Sequence, residues 1–289
     1  MNYGIVVLTK NRNFLKQQQI AIIICWHGSY PWYFSYFIRS CLYNPTIDFI
    51  IITDNVEAIP AKPPNVIIIS KSMQQIACLA SKKLGFTVNI DQPYKLCDFK
   101  PAYGFIFSEI IEKYDFWGHG DLDVIYGNIR NFVTNEMLKE FDLISPRPDW
   151  VPGCFLLFKN SEKMNTLFMQ SKDYRKVFES NQHFCFDETN FSHDLFTDGY
   201  KYYEIATEIE SMMHVIKRLE AANEIKPYFD LHIVEGRPGK LKWNNGTLTY
   251  RNQFEALLYH LIKLKNVYNP KTVPKKIPEI FSISPTRIY

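Results

Sequence analysis

Three stretches in the first quarter of the chain are apolar almost without interruption: Ile20–Cys25, Phe49–Thr53 and Val66–Ser70. β-Branched residues dominate them and polar residues do not alternate, the pattern of strands covered on both faces. Between the first two, Pro31–Tyr43 repeats Tyr, Phe and Ile at helical spacing. A strand, a helix and a second buried strand in this order predict a parallel sheet.

Further along, Ala102–Lys113 reads as a helix begun by Lys100-Pro101, since proline is tolerated in a first turn. Phe141–Ser145 and Cys154–Lys159 read as two more buried strands, and Ser161–Gln170 as a helix capped by Ser161. The mixed segment 171–230 gives no clear period. Leu241–Tyr250 alternates around Asn245-Gly246, a hairpin signal. Gln253–Lys265 carries Phe254, Leu257, Leu258, Leu261, Ile262 and Leu264 at helical spacing, and the prolines beyond it predict an end to regular structure. The expected organisation is an N-terminal extension 1–19, a single α/β domain 20–265 and a basic, proline-containing tail 266–289.

With 46% hydrophobic and 22% charged residues, the 289-residue chain has the balance of a folded globular protein. A net charge of +3 argues against a nucleic-acid binder that relies on phosphate neutralisation. Lys263, Lys265, Lys271, Lys275, Lys276 and Arg287 concentrate positive charge at the C-terminus, suited either to solvent or to an anionic membrane surface. The six cysteines have no CxxC spacing, which predicts a reducing cytoplasm rather than a disulfide framework or zinc cluster. No apolar run approaches the ~20 residues of a membrane span. The N-terminus does not read as a signal peptide, so any membrane link is expected to be peripheral, on the inner face.

The chemistry concentrates at His119-Gly120-Asp121-Leu122-Asp123. In extended backbone, carboxylates at i and i+2 project to the same side. Turned into a cleft, Asp121 and Asp123 repel unless a cation lies between them, and hard oxygen ligands suit Mg²⁺ or Mn²⁺. Two acids at this spacing also occur in solvated turns, but here Phe116, Trp117, Leu122, Val124, Ile125 and Tyr126 surround them. Gly118, Gly120 and Gly127 are expected to let a nucleotide approach the backbone.

The run from Phe116 to Gly127 resembles the Asp-x-Asp region of GT-A-fold glycosyltransferases. More narrowly, it is similar to a group of bacterial glycosyltransferase-like proteins found with polysaccharide-synthesis genes. Cys25-Trp26-His27-Gly28, Lys95–Tyr103 and Pro152-Gly153-Cys154-Phe155 agree with it. The resemblance implies a GT-A-like, Rossmann-type, mostly parallel sheet with flanking helices, here followed by the C-terminal hairpin and helix. A nucleotide-sugar donor, UDP-sugar favoured, would bind at the strand ends, where open parallel sheets hold ligands. The acceptor would be a glycan or lipid-linked glycan.

On that resemblance Trp26, His27, Gly28 and Asp54 flank base and ribose, and Asp98 and Lys100 belong to the donor site. Asp54 also suits a turn, and His27 a packing role. His260 is the histidine that would complete a metal site with Asp121 and Asp123, or else a hydrogen-bonded core residue. Lys263 and Lys265 either neutralise diphosphate oxygens or end a helix. Asp187 and Glu188, among aromatics, are candidates to assist the acceptor hydroxyl, to bind sugar hydroxyls or to begin a helix. Two other classes use such residues: a nucleotidyltransferase or phosphohydrolase with paired Asp and Mg²⁺, and a non-catalytic glycan-binding protein. A phosphate-cradling Gly-x-x-x-x-Gly-Lys-Ser/Thr motif is missing.

Overall fold

The computed structural model describes residues 17–236, 239–272, 274 and 276–289. Most of the expected N-terminal extension, and Lys275 of the basic tail, lie outside the described residues.

The apolar runs form β1 (Ile20–Trp26), β2 (Ile47–Thr53) and β3 (Val66–Ser70). They continue through β4 (Phe116–Gly120) into a seven-stranded sheet ordered β3-β2-β1-β4-β7-β6-β8. Here β6 is Leu143–Ile144, β7 Phe155–Lys159 and β8 Pro227–Tyr228. Six strands run one way and β7 alone is reversed. The continuous apolar character has a direct cause. Ile20, Ile22 and Ile24 pack into the core on one face, while Ala21 and Ile23 pack into the core on the other. Helix α1 (Phe34–Leu42) belongs to the first core and α2 (Met73–Leu84) to the second. Helix α2 adds to the expected elements. A Ser72/Gln75 capping box opens it and Gly85, at φ +77°, closes it.

Two smaller sheets complete the first core. The predicted hairpin is β10 (Leu241–Asn244) and β11 (Thr247–Tyr250), flanked by β12 (Phe254–Glu255) and β14 (Ile280–Ile283). Regular structure therefore resumes within the proline-containing C-terminal stretch. The third sheet orders β5 (Val124–Tyr126), β13 (Leu258–His260) and β9 (Ile233–Glu235).

This sheet corrects the helix expected over Gln253–Lys265, which is instead two short strands and a single helical turn, Leu264–Val267. Its apolar residues imitate a helical period because successive side chains are all buried, Leu257, Leu258, Tyr259 and Leu261 included. The helix expected over Ala102–Lys113 is also broken, into Tyr103–Ile106 and Ser108–Ile111 around the buried Phe107 at φ −109°. Ser161 caps a short helix, Glu162–Asn165, by accepting from the Met164 N–H.

The glycines near the acidic motif answer to packing. A Cβ on Gly118 would lie 2.4 Å from the Leu156 carbonyl oxygen, and one on Gly127 2.4 Å from that of Ala256. On Gly120 it would press on Tyr126 and Ile22 at 3.0 and 3.1 Å. Gly118 and Gly127 let protein backbone close up, and Gly120 makes room for two side chains. Backbone cannot yield as a flexible side chain can, so Gly118→Ala is expected to cost about 2 kcal/mol or more. A thermal melt within about 2 °C of the parent would contradict this. Among the described residues, no helix is long and apolar enough to cross a membrane.

Candidate functional site

All strands of the main sheet except β7 point their C-terminal ends toward one edge, and a cleft of about 730 Å³ opens there. Asp121-Leu122-Asp123 links β4 to β5 at this edge. Leu122 is buried in the core, so the carboxyls on either side of it both line the cleft.

The third sheet brings distant residues to Asp123. In its register His260 stands beside Val124 on one strand and Glu235 on the other, and the Leu261 N–H extends the ladder to the Asp123 carbonyl. His260 Nδ1 lies 2.8 Å from Glu235 Oε1, and its Nε2 lies 3.4 Å from Asp123 Oδ2. Arg147 pairs with the far oxygen of Glu235. A carboxylate behind the imidazole fixes its orientation and leaves the other ring nitrogen for the site. Lys265 Nζ donates to Asp123 Oδ2 at 2.6 Å, so it turns into the cleft. Lys263 is exposed and does not line it. The two lysines are only two positions apart in the chain.

A second group faces these residues through Lys100. Its buried ammonium donates to Asp121 Oδ1 at 2.7 Å and the Gly153 carbonyl at 3.1 Å, with Asp187 Oδ2 at 3.7 Å. Glu188 accepts from the Gly153 N–H at 2.5 Å and lies 2.8 Å from His193 Nε2. Gly153 is held by His119, whose Nδ1 is 3.1 Å from its carbonyl. Asp187 and Glu188 thus line the cleft within the segment whose period was unreadable.

Asp98, expected at the donor site, is set behind the cleft. It is fully buried and outside the cleft lining, paired to Lys95 at 2.9 Å and to His183 at 3.2 Å. It accepts the backbone N–H groups of Phe184 and Phe186, which anchors the segment carrying Asp187. Trp26 and His27 do line the cleft. Asp54 is exposed and accepts the Gly28 N–H at 3.0 Å, while Asn55 donates to the Gly28 carbonyl at 3.1 Å. Together they fix a turn in which Gly28 has φ +96°, a conformation suited to glycine.

The buried charges separate in proton affinity. Burial raises the Asp123 carboxyl, but His260 and Lys265 outweigh it and hold it far below the usual carboxylate range. For Asp121, burial and the neighbouring Asp123 charge prevail over Lys100 and leave it raised. Burial, with Glu188 adjacent, pushes Asp187 well up despite Lys100. Burial opposes ionisation of Glu188 too, yet hydrogen bonds from His193 and Gly153 bring it down to about 2. Lys100 loses by burial but gains more from Asp121 and Asp187, and stays firmly protonated. Adjacent acids therefore differ in proton affinity, raised at Asp187 and lowered at Glu188.

Glu235, Gly153 and His193 were not legible as site residues. The sequence offers no spacing signal for them, because they join the site only through sheet register and loop packing. Asp121, Asp123 and His260 each offer a ligand atom, all within 4.8 Å of one another.

No curated protein matches this chain. Among solved structures, galactosyltransferase LgtC in complex with donor and acceptor sugar analogs is similar over 74% of this chain and 75% of that one. The identity is 10% and the TM-score 0.35. The apo form of glycosyltransferase GlyE from Streptococcus pneumoniae TIGR4 is similar over 78% of this chain and 70% of that one, at 10% identity and TM-score 0.29. A family model does match nearly the whole chain, residues 22–289, and by it the protein belongs to the Family of unknown function (DUF6625).

Proposed function

We propose that the cleft is the active site of a metal-dependent glycosyltransferase. It would move a sugar from a nucleotide-sugar donor, UDP-sugar favoured, to a glycan or glycolipid acceptor in surface polysaccharide synthesis. The carrying observation is the convergence of Asp121 and Asp123 with His260, which is distant in the chain, at the sheet edge where ligands of parallel sheets bind. The GT-A-like sequence from Phe116 to Gly127 supports the same reading.

The donor set of two carboxylates and one imidazole fits Mn²⁺ or Mg²⁺, and the ammonium of Lys265 already places positive charge against Asp123. Such an ion supplies Lewis-acid stabilisation of charge on a departing diphosphate. The chain's own residues have complementary tasks. Glu235 orients His260, and Lys265 adds charge beside the diphosphate position. Trp26 and His27 flank the nucleoside. Lys100 ties Asp121 to Asp187, so the two acidic groups keep a fixed separation. Asp187, with its raised proton affinity, is suited to take the acceptor hydroxyl proton or to bind sugar hydroxyls.

Calorimetric titration of UDP and of GDP, with and without Mn²⁺, tests this reading. Binding of one diphosphate is expected to strengthen at least about tenfold with the ion, the lower range for perturbing a metal site. If no nucleoside diphosphate shows metal-dependent binding, the proposal fails.

A further inference from the structure

The cleft holds a second cluster whose chemistry differs from that of the acidic pair. Cys185 Sγ lies 3.4 Å from Glu188 Oε2 and 3.7 Å from His193 Nε2, and those two atoms are 2.8 Å apart. A sulfur, an imidazole nitrogen and one carboxylate oxygen make a mixed set that suits borderline-soft Zn²⁺. It shares no residue with Asp121, Asp123 and His260.

The spacing is close to that of a coordination tetrahedron. Zinc bonds of about 2.3 Å to sulfur and about 2.0 Å to nitrogen or oxygen imply edges of about 3.5 Å at the sulfur and about 3.3 Å between nitrogen and oxygen. Both sulfur edges agree to within a few tenths of an ångström. The third is now a hydrogen bond, and it must open by about half an ångström when a metal replaces the proton.

The surroundings hold the three side chains in this relation. Residues 185–190 form a tight turn in which the Glu188 and Asn190 N–H groups both reach the Cys185 carbonyl. Cys185 has φ +52° and Asn190 and Phe191 have φ +52° and +63°, conformations unfavourable for residues with a Cβ. Such strain persists only where the rest of the fold imposes it, and it collects at functional sites. Outside the three, the Gly153 N–H fixes Glu188, and Trp150 packs edge-on against His193 with centroids 4.5 Å apart. Partners of this kind orient metal ligands. All three residues line the cleft, which leaves a fourth coordination position facing it.

We propose that Cys185, Glu188 and His193 form a second, thiophilic metal site that binds Zn²⁺ with one position open to the cleft. Binding displaces two protons: the Cys185 thiol proton passes to solvent, and the proton between His193 Nε2 and Glu188 passes to solvent or, by a tautomeric shift, to His193 Nδ1. The proposal does not depend on the reaction assigned to the cleft.

Cobalt(II), which reports thiolate ligation by its near-ultraviolet charge-transfer band, tests it on the metal-free full-length chain. One equivalent is expected to produce the band, and Zn²⁺ to abolish it by displacement. Cys185→Ser should lose the band, while Asp123→Ala and Cys154→Ser keep it. The Cys154 control is needed because that thiol lies with Glu235 and His260 in another possible ligand group. His193 is partly exposed, so His193→Gln gives a variant whose folding is less at risk, and it should bind Co²⁺ at least about tenfold more weakly. Melting curves establish that each variant is folded. No thiolate band in the parent protein, or a band lost in Cys154→Ser but kept in Cys185→Ser, would overturn the proposal.

Discussion

Asp123→Ala is expected to abolish metal-dependent donor binding and donor hydrolysis, with affinity for a nucleoside diphosphate in Mn²⁺ falling by about 100-fold or more. Loss of groups that merely orient metal ligands costs about 10- to 100-fold, and loss of a ligand should cost no less. The environment sharpens the effect. Asp123 Oδ2 meets Lys265 at 2.6 Å and His260 at 3.4 Å. Without it two positive groups face each other, and the site loses both a ligand and the counter-charge that draws a cation in. Asp123→Asn keeps the shape and removes only the charge, so it separates the electrostatic contribution from packing. Calorimetry with Mn²⁺ and release of free sugar from a nucleotide-sugar panel read the outcome. Hydrolysis that persists at the parent rate would reject the metal assignment.

The second large effect is on stability. Asp98→Ala is expected to destabilise the protein by about 3–5 kcal/mol, the usual cost of stripping one partner from a buried ion pair. Lys95 and Asp98 are both wholly buried, and Lys95 also donates to the Val177 and Gln182 carbonyls. Removing the carboxylate leaves an uncompensated ammonium and takes the acceptor from two backbone N–H groups, each loss adding to the penalty. At about 2–4 °C per kcal/mol, the melting temperature should fall on the order of 10 °C. The double variant Lys95→Met/Asp98→Ala should recover part of that loss, because the orphan charge has gone. If Asp98 instead contacted the donor, Asp98→Asn would weaken nucleotide binding and leave the melting temperature unchanged.

The two predictions fall differently on the sequence-based expectations. Asp121 and Asp123 were legible because their signal is local, two carboxylates on one side of an extended strand end in an apolar setting. Asp98 shared its neighbourhood with Lys100 and carried the same implied role. One faces inward to pair with Lys95 and the other reaches the cleft, and a two-residue offset decides which. The helix over Gln253–Lys265 failed for a related reason. His260 was expected on a helix and stands on β13 instead, and only that strand's pairing with β5 and β9 brings it beside Asp123 and Glu235.

By itself the sequence determined the parallel part of the sheet, since strands buried on both faces need continuous β-branched runs, and Val66–Ser70 forms the strand the pattern requires. It also determined the acidic motif and the Asn245-Gly246 hairpin, both products of short-range geometry. Tertiary structure alone decided which groups meet those acids. Lys100, Glu235 and the stretch carrying His260 and Lys265 come from three separate parts of the chain, and their convergence depends on strand register and on the order in which strands are laid into sheets. Neither is encoded at any fixed spacing, because a one-residue slip in register turns strand residues such as Glu235 and His260 to the opposite face.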